Sequence, residues 1–321
     1  MMADMQDLKN AVSLIDNVIP SGSKIAFLAY PLHLNIGDLL IWKGAEEYFK
    51  SRRLDIVYRA SDFFCKLGVG RLPEFPRGVT IVMHGGGNFG DIYKEQQKIR
   101  EDVLERYPRH RIVVLPQTVY FGDEAALARS AAKFEQHNDV HVFARDERSL
   151  DILRQHFHVY SYLCPDMAHF LWELLPQKHN RCFSNRTLYL MRRDCEQRLP
   201  SDTSREVASV DWPDLLGNGD RLFRTMMAGA EFFNHTINRS VIPCLELWRN
   251  FADRLIAKAC SYFMQFDHVN TSRLHGHILA CLLRMPIDLM NNSYGKNWDY
   301  YRAWTHCLPT CRWVDFDCEQ P

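Results

Sequence analysis

The chain has 321 residues, enough for two domains of ordinary size, and its 46% hydrophobic and 24% charged residues are those of a globular protein. Its 39 Lys and Arg balance 39 Asp and Glu, so no global field draws it to nucleic acid or to an anionic membrane. No apolar run approaches the ~20 residues that span a bilayer, and the N-terminal MMADMQDLKNAVSLID has no basic segment leading into an apolar core, so no secretory leader is expected.

In chain order, apolar stretches at 24–30, 54–60, 79–84, 111–118, 140–145 and 159–164 read as strands, and 37–51, 91–107, 124–137 and 147–156 carry helical spacing between them. Two-sided apolar strands alternating with helices imply a parallel sheet covered on both faces. The polar stretch 176–186 reads as a linker. A second, smaller unit follows: a strand from 187, a polar irregular region over 199–220, a long helix over 242–266, a strand at 267–271, a helix at 275–285 and a strand at 286–290. Two such units facing each other would form a cleft at the carboxyl ends of their strands, where open α/β sheets bind ligands. The ten cysteines contain no Cys-x-x-Cys pair, and the irregular spacing of His306, Cys307, Cys311 and Cys318 argues for reduced cytoplasmic thiols over a zinc site.

Residues 84–91, HGGGNFGD, place Gly85, Gly86, Gly87 and Gly90 after a strand in the spacing of a dinucleotide fingerprint. Glycines there let the chain turn sharply and gather N–H groups, and a helix start just beyond favours an anion. A dinucleotide site also needs an acidic residue about 20 positions on, at the end of the next strand. That strand ends in Pro116, Gln117 and Thr118, and the loop follows the third strand, not the first. NAD binding is therefore disfavoured. A second loop, Asn35-x-Gly37-Asp38, echoes Asn88-x-Gly90-Asp91. Asp38 and Asp91 suit helix N-caps, but the repeated Asn and Gly are unnecessary for a cap and point to a shared cleft that grips sugar hydroxyls.

In NTSRLHGHILACLL (270–283), Thr271 and Ser272 are natural N-caps, which sets Arg273 and His275 in a first turn, where the helix dipole favours anions. His275 and His277 lie about 200° apart around a helix, so His275 is assigned to the cleft and His277 to packing. Arg145 and Arg192 stand at strand ends, where a guanidinium can bind an oxyanion bidentately or pair at the surface with a neighbour such as Asp146 or Asp194; Arg193 is expected in a surface ion pair. His84 and His169 are reserve candidates for acid–base work, though both suit a structural role.

Taken in order, NIGD, HGGGNFGD, LPQTVYF, ARDERS, CPDMAHFL, SRLHGHIL and NNSYGKN resemble the polysaccharide pyruvyl transferase family, closest to its bacterial exopolysaccharide (biofilm) branch. The resemblance implies an α/β fold of two facing Rossmann-like domains, glycosyltransferase-B-like, with parallel sheets. The domains would be 1–180 and 181–321, the last residues free to return to the first. It implies transfer of the carboxyvinyl unit of phosphoenolpyruvate to a sugar hydroxyl, commonly as a pyruvate ketal with release of phosphate, and no metal or other cofactor. On this likeness Arg273, Leu274, His275 and Gly276 form the motif associated with phosphoenolpyruvate. Arg192 and Arg145 are its strand-end arginines, the latter leading Asp146 and Ser149. Asn35, Gly37, Gly85, Gly86, Gly87 and Asn88 belong to its substrate loops. His275 is expected to act as an acid or to neutralise phosphate, and Asp38 or Asp91 to orient or deprotonate the acceptor hydroxyl. The expected partners are phosphoenolpyruvate and a sugar acceptor, whether nucleotide-linked, lipid-linked or polymeric. A lipid carrier would bring the protein to a membrane surface, although no amphipathic anchor stands out, and the oligomeric state is left open. The main rival is a nucleotide-sugar glycosyltransferase on the same architecture. Aromatics in NNSYGKNWDYYRAW (Tyr294, Trp298, Tyr300, Tyr301) are read as core or as stacking faces for a sugar.

Overall fold

The computed structural model describes residues 4–178, 186–197, 208–237 and 239–315. The first half holds β1 (Lys24–Tyr30), β2 (Asp55–Ser61), β3 (Thr80–Met83), β4 (Gly86–Gly90), β5 (Ile112–Tyr120), β6 (Val140–Ala144) and β7 (Tyr160–Leu163). These alternate with α1 (Met5–Ala11), α2 (Ile36–Ser51), α3 (Asp62–Lys66), α4 (Lys94–Arg106), α5 (Glu124–Glu135) and α6 (Glu147–His156). The second half holds β8 (Thr187–Leu190), β9 (His268–Thr271), β10 (Ile287–Leu289) and β11 (Cys311–Trp313). Its helices are α7 (Asn218–Thr236), α8 (Cys244–Phe263), α9 (Leu274–Leu282) and α10 (Lys296–Tyr300).

The strands form two sheets, β2-β1-β3-β5-β6-β7 and β11-β10-β9-β8, and each pairing between these neighbours is parallel. The apolar runs explain the first sheet directly. Val113 and Leu115 of β5 feed one hydrophobic cluster while Ile112 and Val114 feed the other, because successive side chains leave opposite faces of a strand. The first of these clusters does not stop at the sheet. It continues through α2 to Trp248, Phe251 and Leu255 of α8, Ile278 of α9, and Leu188 and Val269 of the second sheet. Polar ties reinforce that shared core: the Trp248 indole donates to the Pro31 carbonyl at 2.7 Å, and Lys43 pairs with Asp253 at 2.5 Å.

Two elements depart from the sequence reading. The glycine stretch does not turn straight into a helix. Gly86–Gly90 runs extended as β4, pairing in parallel with the far end of β5 (Gly86 opposite Gln117, Gly90 opposite Tyr120), and α4 begins only at Lys94 without a side-chain cap. Gly90 is required there: its φ is +133°, and a Cβ would stand 1.7 Å from the Tyr120 carbonyl oxygen. The helix α7 was not foreseen, because Leu222, Met226, Phe232 and Phe233 remain exposed on it and no clean buried stripe marks the sequence. Most of the 176–186 linker, residues 199–207 of the irregular region and Cys318 lie outside the described residues.

Candidate active site

A cavity of about 300 Å³ opens where the carboxyl ends of strands from both sheets converge. That is the size of a small-molecule site. Asn35 and Asp38 reach it from the loop and first turn after β1, Gly87 and Asn88 from β4, and Arg145 from just past β6. Arg192 arrives from past β8, and Arg273, Leu274 and His275 from past β9 and the start of α9. Four residues assigned to the site from sequence, Gly37, Gly85, Gly86 and Asp91, do not line it.

The second-sheet arginines are set side by side by the loop between β9 and α9. Thr271 and Ser272 do not cap α9, whose N-cap is Arg273 with no side-chain acceptor. Instead the Thr271 hydroxyl donates to the Leu190 carbonyl at 2.6 Å and accepts the Arg273 N–H at 3.0 Å, while the Ser272 hydroxyl accepts the Arg192 N–H at 2.9 Å. These bonds clamp the ends of β8 and β9 together. Arg273 then forks onto Asp211 through Nε (2.7 Å) and Nη2 (2.6 Å) and reaches Asp194 through Nη1 (2.8 Å). Arg192 binds Asp194 at 2.5 Å and Glu196 at 2.8 Å. Burial works against a charged Arg192, yet Glu196 and Asp194 win and hold its pKa above the ordinary value. The bidentate fork expected for a ligand is thus occupied by Asp211. Among the described residues three of the five Arg273 donors are engaged by Asp211 and Asp194.

On the facing wall, Arg145 is almost fully buried and binds Asp166 at 2.5 Å and the Thr118 hydroxyl at 2.9 Å. The same Asp166 oxygen lies 3.2 Å from His275 Nε2. Burial alone would raise the Asp166 carboxyl, but His275 and Arg145 hold it well below the usual carboxylate range. Asp146 and Ser149, which follow Arg145, do local work: Asp146 caps α6 by accepting the Ser149 N–H at 2.7 Å, and Ser149 ties α6 to β5 through the Val119 N–H at 2.8 Å. His275 also explains Gly37, since a Cβ there would stand 2.7 Å from His275 Nδ1. Gly37 therefore serves the site by leaving room, not by touching ligand.

Asp91 requires correction. Its carboxylate accepts the N–H groups of Gly122 and Asp123, both at 2.8 Å, and so pins the turn after β5. Asn88 does line the cavity, but its side-chain oxygen is held by Arg100, whose Nη1 also donates to the Asn88 carbonyl at 3.0 Å. Asp38 stays free for the cavity, 3.6 Å from His33 Nε2.

Sequence reasoning missed Asp166, Glu196, Asp211 and Lys296, and named Asp194 only as an ion-pair neighbour for a strand-end arginine, a pairing that Arg192 does make. The Lys296 ammonium is buried against Glu196, which also accepts from Tyr93 Oη (2.8 Å) and Asn292 Nδ2 (3.2 Å). Burial pulls the Lys296 pKa down to about 8 although Glu196 holds it up. Lys296 and Asp166 both lay inside motifs singled out for their likeness, but nothing local marked them as charged partners across 100 and 109 residues.

Both reserve candidates are buried and neither lines the cavity. His84 is buried with neither ring nitrogen paired, and His169 binds Tyr300 Oη at 2.7 Å; burial lowers both pKa values to about 4. His277 is fully buried and meets Thr305 Oγ1 at 2.9 Å, as packing requires, and Arg193 pairs with Asp214 at 2.9 Å near the surface. Tyr300 is core and none of the four aromatics lines the cavity. Among the described residues, the donors that converge are His277, Cys281 and Cys311, with the two sulfurs 3.3 Å apart, a group other than the one around Cys307 that the sequence argued against. Three donors are fewer than a closed structural zinc site uses. No helix is long and apolar enough to cross a membrane among the described residues.

Residues 35–287 match the family described as polysaccharide pyruvyl transferase. EpsO of Bacillus subtilis (strain 168), named as a pyruvyl transferase, is 35% identical over 312 residues, covering 97% of this chain and 94% of its own length. Pyruvyl transferase 1 of Schizosaccharomyces pombe (strain 972 / ATCC 24843) is 25% identical over 312 residues, 88% of this chain and 70% of its own. In fold, the chain is similar to the crystal structure of an uncharacterised protein from Klebsiella pneumoniae subsp. pneumoniae NTUH-K2044, with TM-score 0.56, 18% identity and 96% and 98% of the two chains covered.

Proposed function

This chain belongs to the polysaccharide pyruvyl transferase family and is a transferase, and we propose that it moves the carboxyvinyl unit of phosphoenolpyruvate onto a sugar hydroxyl, closes a pyruvate ketal with a second hydroxyl and releases phosphate. One observation carries the reading: Arg145, Arg192, Arg273 and the amino end of α9 converge on a single cavity with His275. A donor bearing both a carboxylate and a phosphate needs several cations and N–H groups in one place. The two parallel sheets are read as facing Rossmann-like halves of a glycosyltransferase-B-like fold, divided near residue 180, with the cavity in the cleft. The acceptor is a sugar of an exopolysaccharide, as the name of the Bacillus relative suggests.

The transfer is redox-neutral. One hydroxyl proton ends on the donor methylene, which becomes a methyl group, and the other ends on phosphate. His275 takes the proton of the attacking hydroxyl, and the imidazolium so formed lies 3.2 Å from Asp166. Asp38 orients that hydroxyl. The leaving phosphate is neutralised by Arg192 and Arg273.

The test is turnover with phosphoenolpyruvate and a panel of sugar acceptors, following phosphate and pyruvylated product together. His275→Ala should lower turnover by a factor on the order of 10²–10⁴ with little change in melting temperature. Near-normal turnover in that variant would remove His275 from the chemistry. Product formation from a nucleotide sugar without phosphoenolpyruvate would replace this reading with glycosyl transfer.

A further inference from the structure

We propose that Lys296 is the acid that protonates the methylene carbon of the donor, an assignment that rests on reading the cavity as a phosphoenolpyruvate site. The residue opens α10 directly after Gly295, whose left-handed φ of +93° turns the chain inward. Its backbone N–H is fixed by Asn292 Oδ1 at 3.0 Å, and its side chain is 6% exposed on the cavity wall.

A side chain at Gly87 would stand 3.1 Å from Arg145 Nη2 and 3.5 Å from Lys296 Nζ, so bare backbone there leaves both cations accessible. Arginine cannot give up its proton in a protein. His275 is engaged elsewhere, with Nε2 at Asp166 and Nδ1 against the Gly37 turn that leads to Asp38. His275 and Asp38 thus serve the acceptor, and Lys296, beside Arg145, carries the proton to the donor.

The groups facing the ammonium are Glu196, Arg192, Arg145, Tyr93 and Tyr294. Glu196 keeps Arg192, Tyr93 and Asn292 as partners when Lys296 loses its proton, so no bare carboxylate is stranded in the interior. Burial brings the ammonium to about 8, close enough to neutrality for efficient donation. The step balances. A proton passes from Nζ to C3, the hydroxyl oxygen bonds C2 as His275 takes its proton, and the C2–O bond to phosphate breaks with its electron pair on phosphate. The second hydroxyl closes the ring and its proton goes to phosphate, while the proton on His275 returns to Lys296 through solvent.

The experiment compares wild type, Lys296→Arg, Lys296→Met and Glu196→Gln. Lys296→Arg should keep the melting shift given by phosphoenolpyruvate yet lose turnover by about 100-fold or more. Wild-type turnover should fall as pH rises through about 8, and the residual rate of Lys296→Met should lack that limb and recover in part with added methylamine. Should the lysine variants fail to fold, Glu196→Gln must move the limb to lower pH, because the carboxylate now holds the ammonium's pKa up. Turnover of Lys296→Arg within threefold of wild type, a limb that survives in Lys296→Met, or a limb unmoved in Glu196→Gln would each overturn the assignment while leaving the donor intact. A wild-type protein that neither binds nor consumes phosphoenolpyruvate would overturn the donor and the assignment together.

Discussion

Asn35-x-Gly37-Asp38 and Asn88-x-Gly90-Asp91 share a pattern and part in structure. After Asn35 the chain turns helical: the Asn35 side chain caps α2 by accepting the Gly37 N–H at 3.0 Å, and Asp38 faces the cavity. After Asn88 the chain stays extended along β5, Arg100 takes the Asn88 oxygens, and Asp91 is consumed by two backbone amides. Four residues do not set a backbone conformation. β5 is nine residues long and runs on past β3, so its far end offers a free edge that the glycine stretch completes. The first loop works in the site; the second mainly builds the wall behind it.

Substitutions can break this contrast, and the largest effect is expected at the glycines. Gly90→Ala forces a Cβ into the Tyr120 carbonyl at a left-handed φ and should cost at least ~4 kcal/mol in urea unfolding. Gly37→Ala meets His275 at Nδ1, Cβ and Cγ, at 2.7–2.9 Å, and not a backbone carbonyl. It should cost less stability than Gly90→Ala and cut turnover by displacing His275. Equal stability losses at both positions would erase the distinction.

The aspartates should separate the loops next. Asp38→Asn is expected to lower turnover by a factor on the order of 10² at unchanged melting temperature. Asp91→Asn should cost about 1–2 kcal/mol of stability through weakened bonds to Gly122 and Asp123 and leave kcat alone. Kinetic and calorimetric measurements on the same preparations decide it.

The smallest effect is in acid. His84 precedes the second loop, unpaired and buried, with its pKa drawn down to about 4 by burial. The unfolded chain takes up that proton near the ordinary histidine value, so the stability His84 contributes is complete above about pH 6.5 and is lost as pH falls toward about 4. Between pH 6 and pH 5 this amounts to about 1 kcal/mol. His84→Leu should flatten the decline measured by thermal unfolding.

The same contrast marks how far sequence reaches. The strands β1, β5 and β6 were readable because their apolar runs serve both faces of a parallel sheet. β4 was not, since glycines carry no strand preference and pair here only because β5 supplies an edge. The site arginines and His275 were readable from their place at strand ends. Their partners were not: Asp211 takes Arg273 across 62 residues and Glu196 takes Lys296 across 100, contacts that only the folded chain creates. Asp211 did carry a local signal, as the N-cap before Trp212 and Pro213, but nothing near it named the arginine it would hold.

The most direct test of the donor site is thermal stability with millimolar phosphoenolpyruvate, NAD and nucleotide sugars added separately to wild type and to Arg273→Ala. Ligand that binds the folded state raises the melting temperature. The expected result is a shift with phosphoenolpyruvate in wild type that disappears in Arg273→Ala, with none from NAD. A shift from NAD or a nucleotide sugar and none from phosphoenolpyruvate would contradict the assignment of this cavity.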